Sequence, residues 1–379
     1  MTPYSVLAFF CILLVVCIPA VILGHGGKSL RIYGACATLT VLLCVFAGWR
    51  AKLLLLGFWA VQTALCFGYL RLRKRHAQRW LLWAFLTISL LPLIAVKLAV
   101  FWRELSILSI LGISYMSFRA VQVLIEIYDG RLKKLNLLDF SYFLLFFPSL
   151  SSGPIDRYQR FAKDLHATPD KEKYAGYFRE GMWRIFTGAL YNFVIGGLIW
   201  EHWLSPLPAH GFAATVLYMY GYTFFLFFNF AGYSRMAIGT AYLFGIPMAE
   251  NFNAPFISRD MKEFWSRWHI SLSTFLRDYV YTRFCMEALR KKWFRGKRTA
   301  SYVGYFLTML LMGAWHGLTP GYLIYGAYQG VLMSVNEVLD TRWKRFKTLK
   351  KQPVAAAVMT VITFHLFSFG LLLFSGRLI

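Results

Sequence analysis

Acidic residues are scarce in this chain of 379 residues. Only 17 are Asp or Glu, and charged residues of both signs make up 15% of the sequence, compared with about 25% in soluble domains. Hydrophobic residues account for 58% and aromatic residues for 18%. This composition excludes an ordinary soluble domain and predicts an integral membrane protein, in which each crossing needs ~20 mostly apolar residues.

The chain also lacks the motifs of several common enzyme classes. It has no H-E-x-x-H metalloprotease motif, no G-x-S-x-G nucleophile elbow, no P-loop and no dinucleotide-binding fingerprint. Its six cysteines show no paired metal-ligand spacing, so we interpret them as small apolar residues and not as ligands or disulfide partners. We therefore expect no metal site and no bound cofactor.

Positive charge is plentiful, with 41 Lys and Arg residues and a formal net charge of +24. The basic residues lie between apolar runs and not on one soluble face, so membrane topology explains them better than nucleic-acid binding. The densest cluster, at 71–79, should be cytoplasmic. Counting spans back from it places the N-terminus outside, and we expect the first apolar run to be a retained span and not a cleaved signal peptide.

The apolar runs predict an all-α polytopic fold of about 10–12 membrane helices, with re-entrant or interfacial helices around a central cavity. We expect a single domain over 1–379, with N-terminal spans in 1–130, a catalytic core in 131–340, and a basic connector and last span in 341–379. The run 138–150 is too short to cross and should be re-entrant. Spans are expected near 4–23, 32–48, 51–70, 80–101, 105–127, 181–204, 211–230, 301–317, 321–340 and 353–375.

Two histidines stand out in this apolar context, because ionisable side chains within a membrane are expensive and usually functional. The first is His269, in the polar-aromatic stretch 263–278. Asp260 and Glu263 resemble an N-terminal capping arrangement, so we expect one helix to begin there and to carry His269 in its third turn. That helix would place Lys262, Trp265, Ser266, His269 and Ser273 on one face, and Glu263, Arg267, Thr274 and Asp278 on another.

The second histidine, His316, ends a long apolar run and is bracketed by Gly313 and Gly317. Glycines leave room for close approach, and Pro320 marks the turn into the next span. By topology His316 lies toward the outer face, whereas His269 starts from the cytoplasmic side. A hydrogen-bonded packing role is the alternative for each. Further candidates for lining a cavity are Trp265, Arg267, Trp268, Ser273, Asp278, Trp315, Asn229 and Ser234. For the last two, interhelical hydrogen bonding is the preferable account.

At these residues the chain resembles the membrane-bound O-acyltransferase family. The family is marked by an embedded histidine preceded by an aromatic-basic stretch, and by an Asn or His in its first conserved segment. In this chain both positions are histidines, His269 and His316. Within the family, the chain is most similar to the proteins that transfer D-alanine to teichoic acid. Asn229 departs from many relatives, which carry an acidic residue there. The similarity runs from about 150 to 340 and includes the passages 152–161, 230–234, 251–256 and 311–317.

The resemblance implies an O-acyltransferase of the cell membrane of a bacterium, typically Gram-positive. The donor would be D-alanine on the phosphopantetheine thioester of a small acidic carrier protein at the cytoplasmic face. The acceptor would be a hydroxyl of (lipo)teichoic acid at the outer face, reached directly or through a membrane partner protein. His316 would be the general base, and His269 would orient the donor or stabilise the oxyanion. The carrier would dock on a basic segment that includes Arg290, Lys291, Lys292 and Arg295, although topology alone explains these charges equally well.

Three other functions are compatible with parts of the pattern. An alginate-type polysaccharide O-acetyltransferase would use the same histidine chemistry. A proton-coupled transporter would use the histidines as a relay, but the sequence lacks the repeated, interrupted helix halves with acidic residues that are typical of transporters. A non-catalytic membrane scaffold would need neither histidine.

Overall fold

A computed structural model describes residues 3–76 and 78–378, apart from the side chain of Lys297. Across these residues the regular secondary structure is helical, and no strand forms. The one strand-like feature they contain is an isolated antiparallel bridge between Phe252 and Trp268. The predicted all-α fold is confirmed.

The helices follow one another along the chain with short connections. The first eight are α1 Leu7–His25, α2 Arg31–Val45, α3 Trp49–Arg73, α4 Arg79–Leu98, α5 Ile113–Tyr128, α6 Leu137–Leu145, α7 Tyr158–His166 and α8 Lys171–Ala189. Helical structure continues through π turns at Leu190–Ile195 and Ile199–Leu204, on either side of α9 Gly196–Leu198. The others are α10 Phe212–Leu243, α11 Met261–Arg267, α12 Ile270–Leu276, α13 Thr282–Arg290, α14 Lys297–His316, α15 Pro320–Arg342, α16 Lys344–Leu349 and α17 Pro353–Phe374.

Within the described residues, six helices are long and apolar enough to cross a membrane by length and composition. The protein is therefore a multi-pass membrane protein, while the larger count of 10–12 stays a prediction. The run near 138–150 forms only the nine-residue α6 and a short turn at Phe147–Ser149, well below the ~20 residues of a span. The six candidates are Leu7–His25, Trp49–Arg73, Arg79–Leu98, Lys171–Leu204, Phe212–Leu243 and Pro353–Phe374.

The chain divides into two compact units. The first comprises Met1–Leu190 and Gly232–Ala249, and the second Tyr191–Ala231 and Glu250–Ile379. The expectation of a single domain stays a prediction. Both histidines of interest lie in the second unit.

The first unit is organised around a buried cation. Arg119 of α5 is 1% exposed, and its guanidinium donates to the carbonyl oxygens of Phe143, Leu144 and Ser149, at 3.0, 3.0 and 2.6 Å. A buried charge of this kind is tolerated only when its donors are satisfied. Arg119 therefore holds the non-helical end of α6, where the backbone has no helical partners of its own.

In the second unit, α14 and α15 pack backbone against backbone. A Cβ atom on Gly330 would lie 2.9 Å from the carbonyl oxygen of Phe306, so only glycine permits this approach. Aromatic rings fill the neighbouring space, where Phe264 of α11 and Phe367 of α17 have centroids 3.9 Å apart. This packing supports the segment that carries His269.

Candidate active site

His269 does not lie within a helix. Asp260 caps α11 as predicted, accepting a hydrogen bond from the backbone N–H of Glu263 at 2.9 Å. However, α11 ends at Arg267, Trp268 is extended, and His269 adopts a left-handed conformation with φ 45° and ψ 51° before α12 begins at Ile270. The prediction of one continuous helix with His269 in its third turn is wrong, so each predicted face is divided between α11 and the residues that follow it. Four residues of the first face, Lys262, Trp265, Ser266 and Ser273, nevertheless line one cavity.

The break has a long-range cause in the segment 251–253. Asn251 accepts the backbone N–H of Ile270 at its carbonyl oxygen, and Asn253 donates its own N–H to the carbonyl of Arg267, both at 2.9 Å. Between them lies the bridge of Phe252 with Trp268. These bonds replace the helical ones and compensate for the cost of a left-handed non-glycine residue.

The His269 ring is buried, with 4% of the residue exposed. It meets the Phe230 ring edge to face, with centroids 4.7 Å apart. His269 lies outside the six candidate spans. Burial lowers its pKa to about 3, with a further lowering by charge on His316. His269 is therefore a neutral imidazole at physiological pH.

His316 occupies a different environment, at the C-terminal end of α14. Its ring contacts Trp315, Phe374 and Tyr322, with centroids 4.5, 5.0 and 6.1 Å away. The residue is only partly buried, and a helix C-terminus favours positive charge. The ring is therefore open to a substrate, and it interacts electrostatically with His269.

A cavity of about 260 Å³ lies in the same unit. Met312 lies one turn before His316 on α14, and Ser273 donates its backbone N–H to the carbonyl of His269 at 3.0 Å. Neither histidine lines the cavity, and Met312 and Ser273 each lie about one helical turn from one of them. Its lining residues are Lys262, Trp265, Ser266, Leu272, Ser273, Thr274, Leu276, Arg277, Tyr281, Tyr305, Thr308, Met309, Met312 and Met333.

Lys262, which lines the cavity, belongs to a network of ion pairs. The ammonium of Lys262 pairs with Glu337 and, at 2.9 Å, with Asp340. Lys350, in the basic connector, also pairs with Asp340, at 2.8 Å, and with Asp260. The connector is thereby fastened to both α11 and α15.

Similarity to known proteins identifies the family of this chain. Residues 42–376 match the sequence model of MBOAT, the membrane-bound O-acyltransferase family. The chain belongs to the membrane-bound O-acyltransferase family. It is an O-acyltransferase.

Named relatives show which proteins of this family the chain is similar to. It is 41% identical to "Teichoic acid D-alanyltransferase" of Bacillus subtilis, over 100% of this chain and 98% of the relative. It is 36% identical to the protein of that name in Streptococcus thermophilus, over 99% and 95%. A third relative, "Probable alginate O-acetylase AlgI" of Pseudomonas aeruginosa, is 34% identical over 78% of this chain and 59% of its own length.

The other predicted site residues of this acyltransferase take several positions. Trp265 and Ser273 line the cavity, and Trp315 packs against the His316 ring. Arg267 instead pairs with Glu263 at 3.0 Å, and Trp268 is buried among aromatic rings that include Phe252.

Three further candidates are not among the residues that line the cavity. Asp278 is exposed and pairs with Arg277 at 3.0 Å. The carbonyl of Asn229 accepts a hydrogen bond from Asn192 at 2.8 Å. Ser234 is buried in the first unit and so falls outside the unit that holds the histidines.

The predicted docking residues are on the surface at the end of α13 and in the turn that follows. Arg290 and Lys291 pair with Glu287, at 2.8 and 3.3 Å. Lys292 and Arg295 are exposed, and Lys292 has a left-handed backbone with φ 53°. Because Glu287 offsets part of their positive charge, Arg290 and Lys291 contribute less net charge to this surface than two unpaired basic residues would.

Sequence reasoning missed several residues of this site. Tyr281, Tyr305, Met309 and Met333 line the cavity, yet apolar and aromatic residues are too common in membrane helices to be singled out. In the sequence, Asn251 stands out only as part of a family-like passage. Its place in Asn-x-Asn-x-Pro does indicate a loop with local polar bonding, but nothing in that spacing connects it with His269.

Proposed function

We propose that this acyltransferase transfers D-alanine from the phosphopantetheine thioester of a carrier protein toward hydroxyls of teichoic acid, directly or through a partner protein. The proposal includes placement in the cell membrane of a Gram-positive bacterium. The observation that carries it is the electrostatic interaction between the buried His269 and His316, combined with full-length similarity to proteins named for D-alanyl transfer to teichoic acid.

The two imidazoles suit different roles in this reaction. His316 takes the proton of the acceptor hydroxyl while the oxygen attacks the thioester carbonyl carbon, a general-base role worth about 10²–10⁴-fold. The C–O bond forms and the C–S bond breaks. The proton then passes from the imidazolium to the departing thiolate, so that the products are an ester and a thiol. His269, which stays neutral, holds the donor in place.

The cavity supports a slender donor. Three methionines, Met309, Met312 and Met333, form an adaptable apolar wall that suits a sulfur-bearing chain. Ser266, Ser273 and other hydroxyl-bearing lining residues can bond the amide groups of a phosphopantetheine arm. A volume of about 260 Å³ suits such an arm better than a folded polymer.

The carrier would meet the enzyme at the basic segment that includes Arg290, Lys291, Lys292 and Arg295. Exposed positive charge speeds the encounter with an acidic partner and orients it. The segment begins at the last residue of α13, and α13 directly follows a π turn at Arg277–Tyr281, both ends of which line the cavity. A carrier docked there would contact a segment that is close along the chain to residues of the cavity wall.

O-acetyl transfer to an exported polysaccharide is the second candidate, because one relative is named as a probable alginate O-acetylase. The D-alanyltransferase relatives are matched over nearly their full length, whereas the alginate relative is matched over 59%. D-Alanyl transfer is therefore favoured. A transporter or scaffold role is disfavoured by membership of an acyltransferase family.

The deciding experiment uses the full chain in lipid nanodiscs with glycerol phosphate polymer as acceptor. Radiolabelled D-alanyl carrier thioester and acetyl carrier thioester are offered separately, with and without candidate partner proteins. We expect D-alanyl esters to form with wild type and not with His316→Ala. The variant His365→Ala is the matched control, since His365 is exposed on α17. Acetyl transfer without D-alanyl transfer would overturn the proposal.

A further inference from the structure

Asn251 makes an unusual set of contacts beside His269. It is fully buried, with 0% exposed. Its side-chain oxygen lies 3.1 Å from the backbone nitrogen of Ser271, 2.7 Å from the Ser271 hydroxyl and 3.4 Å from Nδ1 of His269. One oxygen atom thus meets three polar groups at the start of α12.

The orientation of the Asn251 amide follows from these neighbours. Oxygen and nitrogen of an amide are distinguished only by their hydrogen-bond partners. A backbone N–H can only donate, so the atom that faces the nitrogen of Ser271 must be Oδ1. The same atom faces His269, and two acceptors cannot share a hydrogen bond. Nδ1 of His269 must therefore carry the proton.

We propose that Asn251 is a positioning residue that holds His269 as the Nδ1–H tautomer, so that Nε2 is presented to the acyl donor as a hydrogen-bond acceptor. This inference rests on the proposed function for the step that it serves. It separates the two roles open to His269: a neutral ring with its proton on Nδ1 cannot donate to an oxyanion through Nε2. It can accept a hydrogen bond from an N–H group of the donor and so orient the thioester.

Other contacts restrain the same ring, and Asn251 supplies its hydrogen bond. The carbonyl of Asn251 fixes Ile270, and Phe230 covers one side of the imidazole. Burial disfavours the imidazolium, in which both nitrogens would be donors. The titratable group that acts on this ring is His316. A neutral ring with one defined tautomer is the consequence.

The first test is spectroscopic and does not depend on activity. The full-length protein is labelled with ¹⁵N-histidine, and the His269 signals are assigned as those lost in His269→Gln. We expect a protonated Nδ1 and an unprotonated Nε2 in wild type at pH 7.5. A proton on Nε2 would overturn the inference, whatever substrate the enzyme proves to use. If the wild-type protein shows the expected tautomer but does not transfer D-alanine from the thioester, the proposed function is wrong and the inference about Asn251 stands.

The second test compares kinetics at two neighbouring positions. Asn251→Leu keeps the size of the side chain but removes the acceptor, and we expect kcat to fall about 10-fold or more, as for other residues that orient a functional histidine. Ser271→Ala removes the other side-chain partner of Oδ1 and should leave kcat within about 2-fold. Unchanged kcat in a folded Asn251→Leu variant would contradict the inference.

A third variant covers the case in which Asn251→Leu does not fold. Asn251→Asp retains the acceptor oxygen and adds negative charge beside the ring, which raises the pKa of His269. We expect near-normal kcat at pH 8 and a progressive loss on acidification that begins at higher pH than in wild type. An acid limb at the wild-type position would show that the Asn251 side chain does not act through His269.

Discussion

Gly313 of α14 and Gly326 of α15 bring two helix backbones into direct contact, so that a Cβ atom on Gly326 would lie 2.9 Å from the Cα of Gly313. On the other helix, a Cβ atom on Gly313 would lie 2.4 Å from the carbonyl oxygen of Tyr322. Small residues permit this approach in membrane helices. The contact lies one turn before His316 and sets the position of its ring against Tyr322.

Gly313→Ala should therefore disturb the site. We expect α14 and α15 to separate, with a loss of about 2 kcal/mol or more of stability from overpacking and a marked fall in kcat. Apparent melting temperature and acyl transfer measure the two effects. Gly57→Ala in α3 is the matched control, because nothing lies within 4 Å of its Cβ position. Equal behaviour of the two variants would show that the close contact is not needed.

His316→Ala should abolish catalysis while leaving the fold intact. General-base catalysis contributes about 10²–10⁴-fold, and His316 is only partly buried, so we expect kcat to fall by that factor with little change in melting temperature. Single-turnover transfer from a preloaded donor separates this loss from weaker binding. A variant with normal single-turnover rate would assign the base to another group.

Stability should decrease on acidification because of His269. Its folded pKa of about 3 lies below the ~6.5 of an unfolded histidine. Between these values the unfolded state binds the extra proton, so stability is full above about pH 6.5 and falls as the pH drops below it. From pH 7.5 to 5 the loss is up to about 2 kcal/mol. The melting temperature of His269→Gln should fall less over this range than that of wild type. An equal fall in both proteins would contradict the assignment of this pH dependence to His269.

Filling the cavity should weaken binding of the acyl donor. Ser273 lines the cavity and is partly buried, so Ser273→Trp places an indole in the space. We expect the KM for the carrier thioester to rise about 10-fold or more, since ~1.4 kcal/mol of lost binding has that effect. Ser273→Ala leaves the space open and removes only one hydroxyl, so its KM should rise much less than that of Ser273→Trp. Matching KM values for the two variants would place the donor elsewhere.

Charge reversal on the basic segment should affect carrier encounter. Replacing Lys292 and Arg295 by Glu should raise the KM for the carrier-bound donor, and added salt should reduce the difference from wild type. The rate with a small thioester lacking the carrier should not change. Lys133→Glu with Lys134→Glu serves as the control, because those residues lie in the first unit. An equal effect of both pairs would indicate general charge and not a docking surface.

Many features of the fold could be predicted from local patterns. The turn at Pro320 separates α14 from α15, the Asp260 cap starts α11, and the short segment near 138–150 does not reach spanning length. Each depends on neighbouring residues alone, through capping, proline geometry or segment length. The conformation of His269 could not be predicted in this way, because it depends on Asn251.

The amino-acid sequence was sufficient to establish a helical membrane protein and to single out His269 and His316, since hydropathy and the cost of buried polar groups act locally. The roles of the two rings depend on the folded arrangement. A left-handed turn, burial and one amide oxygen keep His269 neutral and oriented, whereas the end of α14 leaves His316 more accessible. Hydrogen bonding and desolvation are properties of groups assembled in space, and sequence spacing does not specify them.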